Sequence, residues 1–177
     1  MPIGRFLKVL ALGPRRPRMS PLEESVLTFR VWPGDLDENR HMNNGRYLTL
    51  MDLGRTDLIV RTGILKAMLQ RKWMALLAGA TMRYRRPLNL LDRFTLHTRL
   101  VAWDDRWFYL EQRFVKRGET AAIGWVRAAF RGPQGLVPTA ELLAIVGHTD
   151  ASPPLPEGLQ HWLLVQDALG ELERQPA

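Results

Sequence analysis

From about Trp73 as far as Phe130, apolar and polar residues alternate with a period of two. Ala80, Met82 and Tyr84 alternate with Thr81, Arg83 and Arg85, and Phe94, Leu96, Leu100 and Ala102 with Thr95, His97 and Arg99. Phe108, Leu110 and Phe114 alternate with Tyr109, Glu111 and Arg113, and Ala122, Val126, Ala128 and Phe130 complete the series. Successive side chains of a strand point to opposite faces, so each run is a strand with one apolar side. Pro87-Leu88-Asn89, Asp104-Asp105, Lys116-Arg117-Gly118 and Gly132-Pro133 punctuate the runs as turns. Consecutive strands of this kind form an antiparallel sheet that needs one further layer to cover its apolar face.

The cover lies upstream. Leu27, Phe29 and Val31 alternate with Thr28 and Arg30 as a first strand, which Trp32-Pro33-Gly34 ends. After a polar loop from Asp35 to Asn43, the spacing predicts a helix from about Asn44 to Val60, capped by Asn43 or Asn44. Tyr47, Met51, Gly54 and Leu58 share one face of it, with Leu50 beside them. Gly54 costs about 1 kcal/mol relative to Ala in mid-helix, which a close approach to the sheet would offset. The plan is α+β. Further on, a short helical turn around Glu141 to Ile145 and a linker at 152–158 precede a last amphipathic helix. That helix puts Trp162, Val165, Leu169 and Leu172 on one face, expected to dock on the body or a neighbouring subunit. The expected organisation is a loose basic N-terminal arm over 1–20, a domain over 21–150, and linker plus C-terminal helix over 151–177.

Composition narrows the chemistry. With no cysteine, disulfides, thiolate zinc sites and a Cys nucleophile are excluded. A formal charge of +7 favours polyanions such as nucleic acid, anionic lipid or coenzyme A. No recognition helix or RNA-binding signature is present, so no nucleic-acid partner is expected. No apolar run reaches the roughly 18–20 residues of a spanning helix. The expectation is a cytoplasmic protein without an integral membrane segment, its basic arm able at most to attach weakly to a membrane or another subunit. His97, His148 and His161 lack metal-ligand spacing, so no metal is expected. Gly132-Pro133-Gln134-Gly135 is a turn rather than a phosphate loop, and there is no Gly-x-Ser-x-Gly elbow.

The stretch from Asp35 to Tyr47 concentrates acid, amide and imidazole groups just before a helix start. Open N–H donors there suit an oxyanion, and an upstream carboxylate can activate water or attack the carbonyl they hold. An Asx-rich capping loop explains the same composition, and on the residues alone both readings stand.

The run resembles the motif of the 4-hydroxybenzoyl-CoA thioesterase branch of the hotdog superfamily, Asp-x-Asp-x-x-Gly-His-(apolar)-Asn-Asn-x-x-Tyr. Asp35, Asp37, His41, Met42, Asn43, Asn44 and Tyr47 match it in order. Arg55, Arg86-Pro87 and Asp92-x-Phe94 agree downstream, so the resemblance spans roughly 24–146. It extends to the branch of eukaryotic THEM6-like proteins, whose loop likewise reads His-Met-Asn-Asn-x-Arg-Tyr. The resemblance implies an antiparallel sheet wrapped around one long central helix, and acyl-CoA thioester hydrolysis with no metal or bound cofactor. Asp37 would be nucleophile or general base, and the N–H near Asn44 would polarise the carbonyl. His41 and Asn43 would shape the loop and orient water. It also implies a site formed between subunits of a homodimer or homotetramer. One position departs: Arg40 stands where the family has Gly, at backbone angles that favour glycine. It would pair with Asp37 or Asp35 and idle the site, or meet a CoA phosphate. Arg83, Arg85 and Arg86 form a basic strand cluster, read either as a solvated sheet edge or as contacts for the CoA phosphates. Two rivals remain: a non-catalytic hotdog module that binds acyl-CoA or a partner, and a hotdog dehydratase. The dehydratase ranks last because the Pro-Gly-rich loop after its catalytic His is missing after His41.

Overall fold

The computed structural model describes residues 3–172, with side chains through Glu171. Helix α1 spans Ile3–Leu12, strand β1 Ser25–Arg30, helix α2 Asn44–Thr62 and helix α3 Ile64–Arg71. Strands β2 (Met74–Tyr84), β3 (Arg93–Trp103), β4 (Phe108–Lys116), β5 (Glu119–Gly132) and β6 (Gly135–Val137) follow, then helices α4 (Thr139–Ile145) and α5 (Glu157–Leu172). The strands lie in the order β1-β3-β4-β5-β2, all antiparallel, with β6 paired to β5. The connection from β2 to β3 therefore crosses the sheet, and β2 ends as an edge strand. This is the expected α+β hotdog plan.

The alternation decides what faces α2. Phe94, Leu96, Phe114 and Val126 are buried against Tyr47, Leu50, Met51 and Leu53 in one continuous core. At Gly54 helix and sheet come too close for a side chain: a Cβ there would stand 2.2 Å from Thr98 Oγ1 and 2.8 Å from Gln112 Nε2. The sequence expectation of close approach is met.

Three local readings change. Residues 3–12, expected to belong to a loose arm, form a helix whose Val9 is buried, and buried Gly13 packs its backbone on Val60. Ion pairs from Arg5 to Asp35 and Arg16 to Asp57 tie the segment to the body. On α5, packing is carried by Leu159, Trp162, Leu163 and Gln166, whereas Val165 and Leu169 are exposed. The Leu172 side chain lies outside the described residues. Tyr109, placed by alternation on the polar face, is buried beneath α5 with Leu159. A register shift between Leu100 and Ala102 also turns Ala102 to that side. A second layer thus covers part of the outer face, which a one-layer pattern does not anticipate.

Candidate active site at the start of the central helix

The chain between β1 and α2 is a closed hairpin rather than an open loop. A 3-10 turn, Pro33–Asp35, starts it. Asn43 N–H then donates to Asp35 O and Asp37 N–H to His41 O, both at 2.9 Å. Met42 N–H donates to Leu88 O at 2.8 Å, and His41 bridges to Asn89, so the hairpin is stitched to the β2–β3 connection. At its tip Arg40 adopts φ 61°, the left-handed conformation anticipated from the glycine it replaces. Arg40 is exposed, and among the described residues it makes no ion pair with Asp35 or Asp37. Of the two roles expected for Arg40, the pairing with Asp35 or Asp37 does not occur among the described residues; Asp35 is already flanked by two other guanidinium groups.

The two aspartates are set apart by burial. Asp35 is 4% exposed. Arg5 grips it with both nitrogens, at 3.0 and 2.6 Å, and Arg46 Nε stands 3.9 Å away. Trp32 N–H also donates to it at 2.9 Å. With its charge balanced and its oxygens occupied, Asp35 holds structure. Asp37 is half-buried, and its Oδ1 accepts from Asn39 N–H at 2.9 Å and His41 N–H at 3.2 Å. Its Oδ2 makes no hydrogen bond among the described residues, leaving one carboxylate oxygen for a ligand.

Helix α2 begins with one donor open. Asn43 is the N-cap, its Oδ1 accepting from Gly45 N–H at 2.8 Å, while Arg46 N–H donates to Asn43 O. Asn44 N–H has no partner among the described residues, as a first-turn donor does when the cap serves its neighbours. Positive potential from the helix start falls on the same spot. His41 enters the hairpin through its backbone alone; its imidazole is exposed and makes no hydrogen bond among the described residues.

Tyr47 is 3% exposed and edge-on to Tyr84 and Phe114, with ring centroids at 5.0 and 4.8 Å. Burial pushes its hydroxyl up to about 12. Tyr84 OH donates to Asn44 O at 3.4 Å, which fixes the end of β2 beside the start of α2. Arg83 precedes Tyr84 on the strand and so projects from the opposite face. Arg85 is exposed just past the strand end, and Arg86 is paired with Glu119. The structure does not gather these arginines around Asp37.

A second feature had no signal in the sequence. Between the far half of α2 and the sheet lies an apolar cavity of about 190 Å³, lined by Ile59, Leu76, Leu100, Phe108, Leu110 and Ala128 among others. Arg55 stands at its wall, paired with Asp52 and donating to Gln112 Oε1 at 2.7 Å. Fully buried Gln112 donates in turn to Met51 O and Thr98 Oγ1, each at 2.9 Å. The cavity and the Asp37 hairpin sit at opposite ends of α2 and of β2. Among the described residues there is no cluster of acids and histidines able to hold a metal, and no helix long and apolar enough to cross a membrane.

Residues 31–163 match the family described as the thioesterase-like superfamily. Protein THEM6 of Xenopus laevis is 36% identical over 150 residues, covering 83% of this chain and 70% of its own. The THEM6 protein of Danio rerio is 37% identical over 145 residues, covering 80% and 70%. Among solved structures, a gentisyl-coenzyme A thioesterase superposes with a TM-score of 0.62 at 23% identity, over 69% of this chain and 98% of that one. A Staphylococcus aureus protein solved in complex with CoA gives 0.63 at 17% identity, over 80% and 94%.

Proposed function

The chain belongs to the thioesterase-like superfamily, and from that premise we propose that it hydrolyses acyl-CoA thioesters with Asp37 as its catalytic carboxylate. The observation that carries the reading is the juxtaposition, across the hairpin and the helix start it leads into, of a carboxylate oxygen and an Asn44 N–H that have no partner among the described residues. The N–H and the helix dipole stabilise charge developing on the thioester oxygen. Asp37 attacks the carbonyl carbon, or takes a proton from the water that does. The thiolate of coenzyme A leaves and takes up a proton. On the general-base route this gives the acid directly; on the nucleophilic route it leaves an acyl-aspartyl anhydride that water then hydrolyses to the acid and free Asp37. Asn43 holds the helix start, and His41 supports Asp37 through its backbone N–H. Arg40 leaves Asp37 free, which counts against a binding module with its carboxylate tied down.

A second copy completes the site on this reading. Strand β2 has one unpaired edge, with Met74 and Leu77 exposed at 62% and 52%, and such an edge seeks another strand. Antiparallel pairing about a two-fold axis sets the Tyr84 end of one β2 beside the Met74 end of the other. The Asp37 hairpin then meets the partner copy's apolar cavity, which takes the acyl group. A cavity of about 150 Å³ accommodates benzene, so one of about 190 Å³ suits an aryl group or a chain of similar bulk. The test is thiol release from aryl, short-chain and long-chain acyl-CoAs by wild type and Asp37→Asn. Turnover of aryl or short-chain substrates that falls at least a hundredfold in the folded variant is expected. Equal rates for both proteins would refute the role of Asp37.

A further inference from the structure

The N-terminal helix reaches into the hairpin that carries Asp37. Arg5, on α1, donates from Nη1 and Nη2 to the two oxygens of Asp35, and from Nη2 to Arg30 O at 2.8 Å. Its side chain is only 16% exposed and that of Asp35 6%, so the ion pair is shielded from water. The backbone of the same aspartate accepts the N–H of Asn43, the cap of α2, and Asp37 follows two residues later. One residue thus has its carboxylate locked to α1, its carbonyl locked to the helix start, and its chain leading directly to the free carboxylate.

We propose that Arg5 is a positioning residue for Asp37: α1 acts as a strap that fixes the base of the hairpin and so the placement of Asp37 relative to Asn44 N–H. The physical reason is the cost of the alternative. Without Arg5, a carboxylate that is nearly inaccessible keeps, among the described residues, only Arg46, at 3.9 Å, as a counter-charge. A buried charge left so poorly compensated draws water or moves toward it. Either response disturbs the Asp35 to Asn43 bond and lets the hairpin open. Displacements of about 1 Å at a reacting centre cost up to roughly a hundredfold in rate. The Arg5 guanidinium is committed to Asp35 and Arg30 O rather than to the free oxygen of Asp37, so the loss is expected on kcat rather than on binding.

The N-terminal segment supplies its own control. Arg16 ties the same segment to Asp57 in the middle of α2, with Nη1 at 2.8 Å, well away from the hairpin. Breaking that link weakens the docking of the segment without touching Asp35.

The proposal rests on the Asp37 reading, and two measurements on the full chain separate them. Steady-state hydrolysis and amide hydrogen exchange across residues 35–44 are compared for wild type, Arg5→Met, Arg5→Lys and Arg16→Met. In Arg5→Met, kcat is expected to fall roughly ten- to a hundredfold with KM within about twofold, and exchange in the hairpin to rise. Arg5→Lys recovers part of both, and Arg16→Met leaves both near wild type while lowering thermal stability. Hairpin exchange unchanged in Arg5→Met overturns the strap, whatever the activity. So does a rise of equal size in Arg16→Met, because the effect is then general loosening. Raised exchange confined to Arg5→Met, in a protein whose wild type and Asp37→Asn turn over equally, supports the strap and removes the Asp37 reading instead.

Discussion

Arg40 holds a left-handed backbone at φ 61° with its side chain exposed and, among the described residues, no ion pair to set against the cost. A side chain in that conformation is disfavoured by about 1 kcal/mol relative to glycine. Arg40→Gly is therefore expected to stabilise the protein by roughly that amount, less the backbone entropy glycine returns to the unfolded chain. Hydrolysis should change less than twofold, since the guanidinium holds neither aspartate. Urea unfolding alongside the thiol-release assay checks both parts, and a large loss of activity would restore Arg40 to the site. Arg40, Asn43 and Gly54 were all legible in the sequence because each answers a local demand: a tight tip, a helix cap, a close crossing. The distinction between Asp35 and Asp37 was not. Both are acids in one polar loop, and what separates them is Arg5, thirty positions before Asp35 and carried by a different helix.

At the scale of elements, the strands and α2 announce themselves through period, whereas the covering pieces do not. The alternation places Phe94, Leu96 and Phe114 correctly because one face meets α2 along its length. It misplaces Tyr109 because α5 returns over the outer face, and Ala102 because a bulge resets the register. Helix α1 was missed since a short basic segment beside prolines carries little weight until its partners are known. The join of α2 to β2 has a consequence in alkali. Tyr47 is locked between Tyr84 and Phe114, and burial raises its hydroxyl from the ordinary 10.0 to about 12. The folded-state value lies above the unfolded one, so its contribution is complete below pH 10 and is lost as the pH rises through about 12. Up to about 3 kcal/mol is involved for one such group. Tyr47→Phe, which has no group to ionise there, should lose less stability than wild type between pH 9 and about 11.5. Parallel denaturant titrations at the two pH values decide it, and identical losses would show that Tyr47 ionises without unfolding pressure.

For the whole molecule, the separation of the two ends of α2 sets the problem. A carboxylate at one end and an acyl-sized cavity at the other cannot serve the same substrate within one copy unless the substrate runs the length of the helix. The proposed pairing of β2 edges removes the difficulty by exchanging ends, and it makes a prediction that no intrachain site shares. Asp37→Asn removes the carboxylate but leaves a cavity intact. Ala128→Phe fills the cavity, where Ala128 lines the wall, but leaves Asp37 intact. Each variant alone should be nearly inactive on benzoyl-CoA. When the two are unfolded together and refolded as a mixture, half the dimers are mixed, and each carries one site with both wild-type parts. About a quarter of wild-type activity should then return. Restored turnover of that order, appearing only after exchange of subunits, requires that Asp37 of one copy work over the cavity of the other. If the mixture stays as inactive as its components, while both variants fold and associate, the acyl group is bound along a single copy. The open edge of β2 would then have to be explained without the active site.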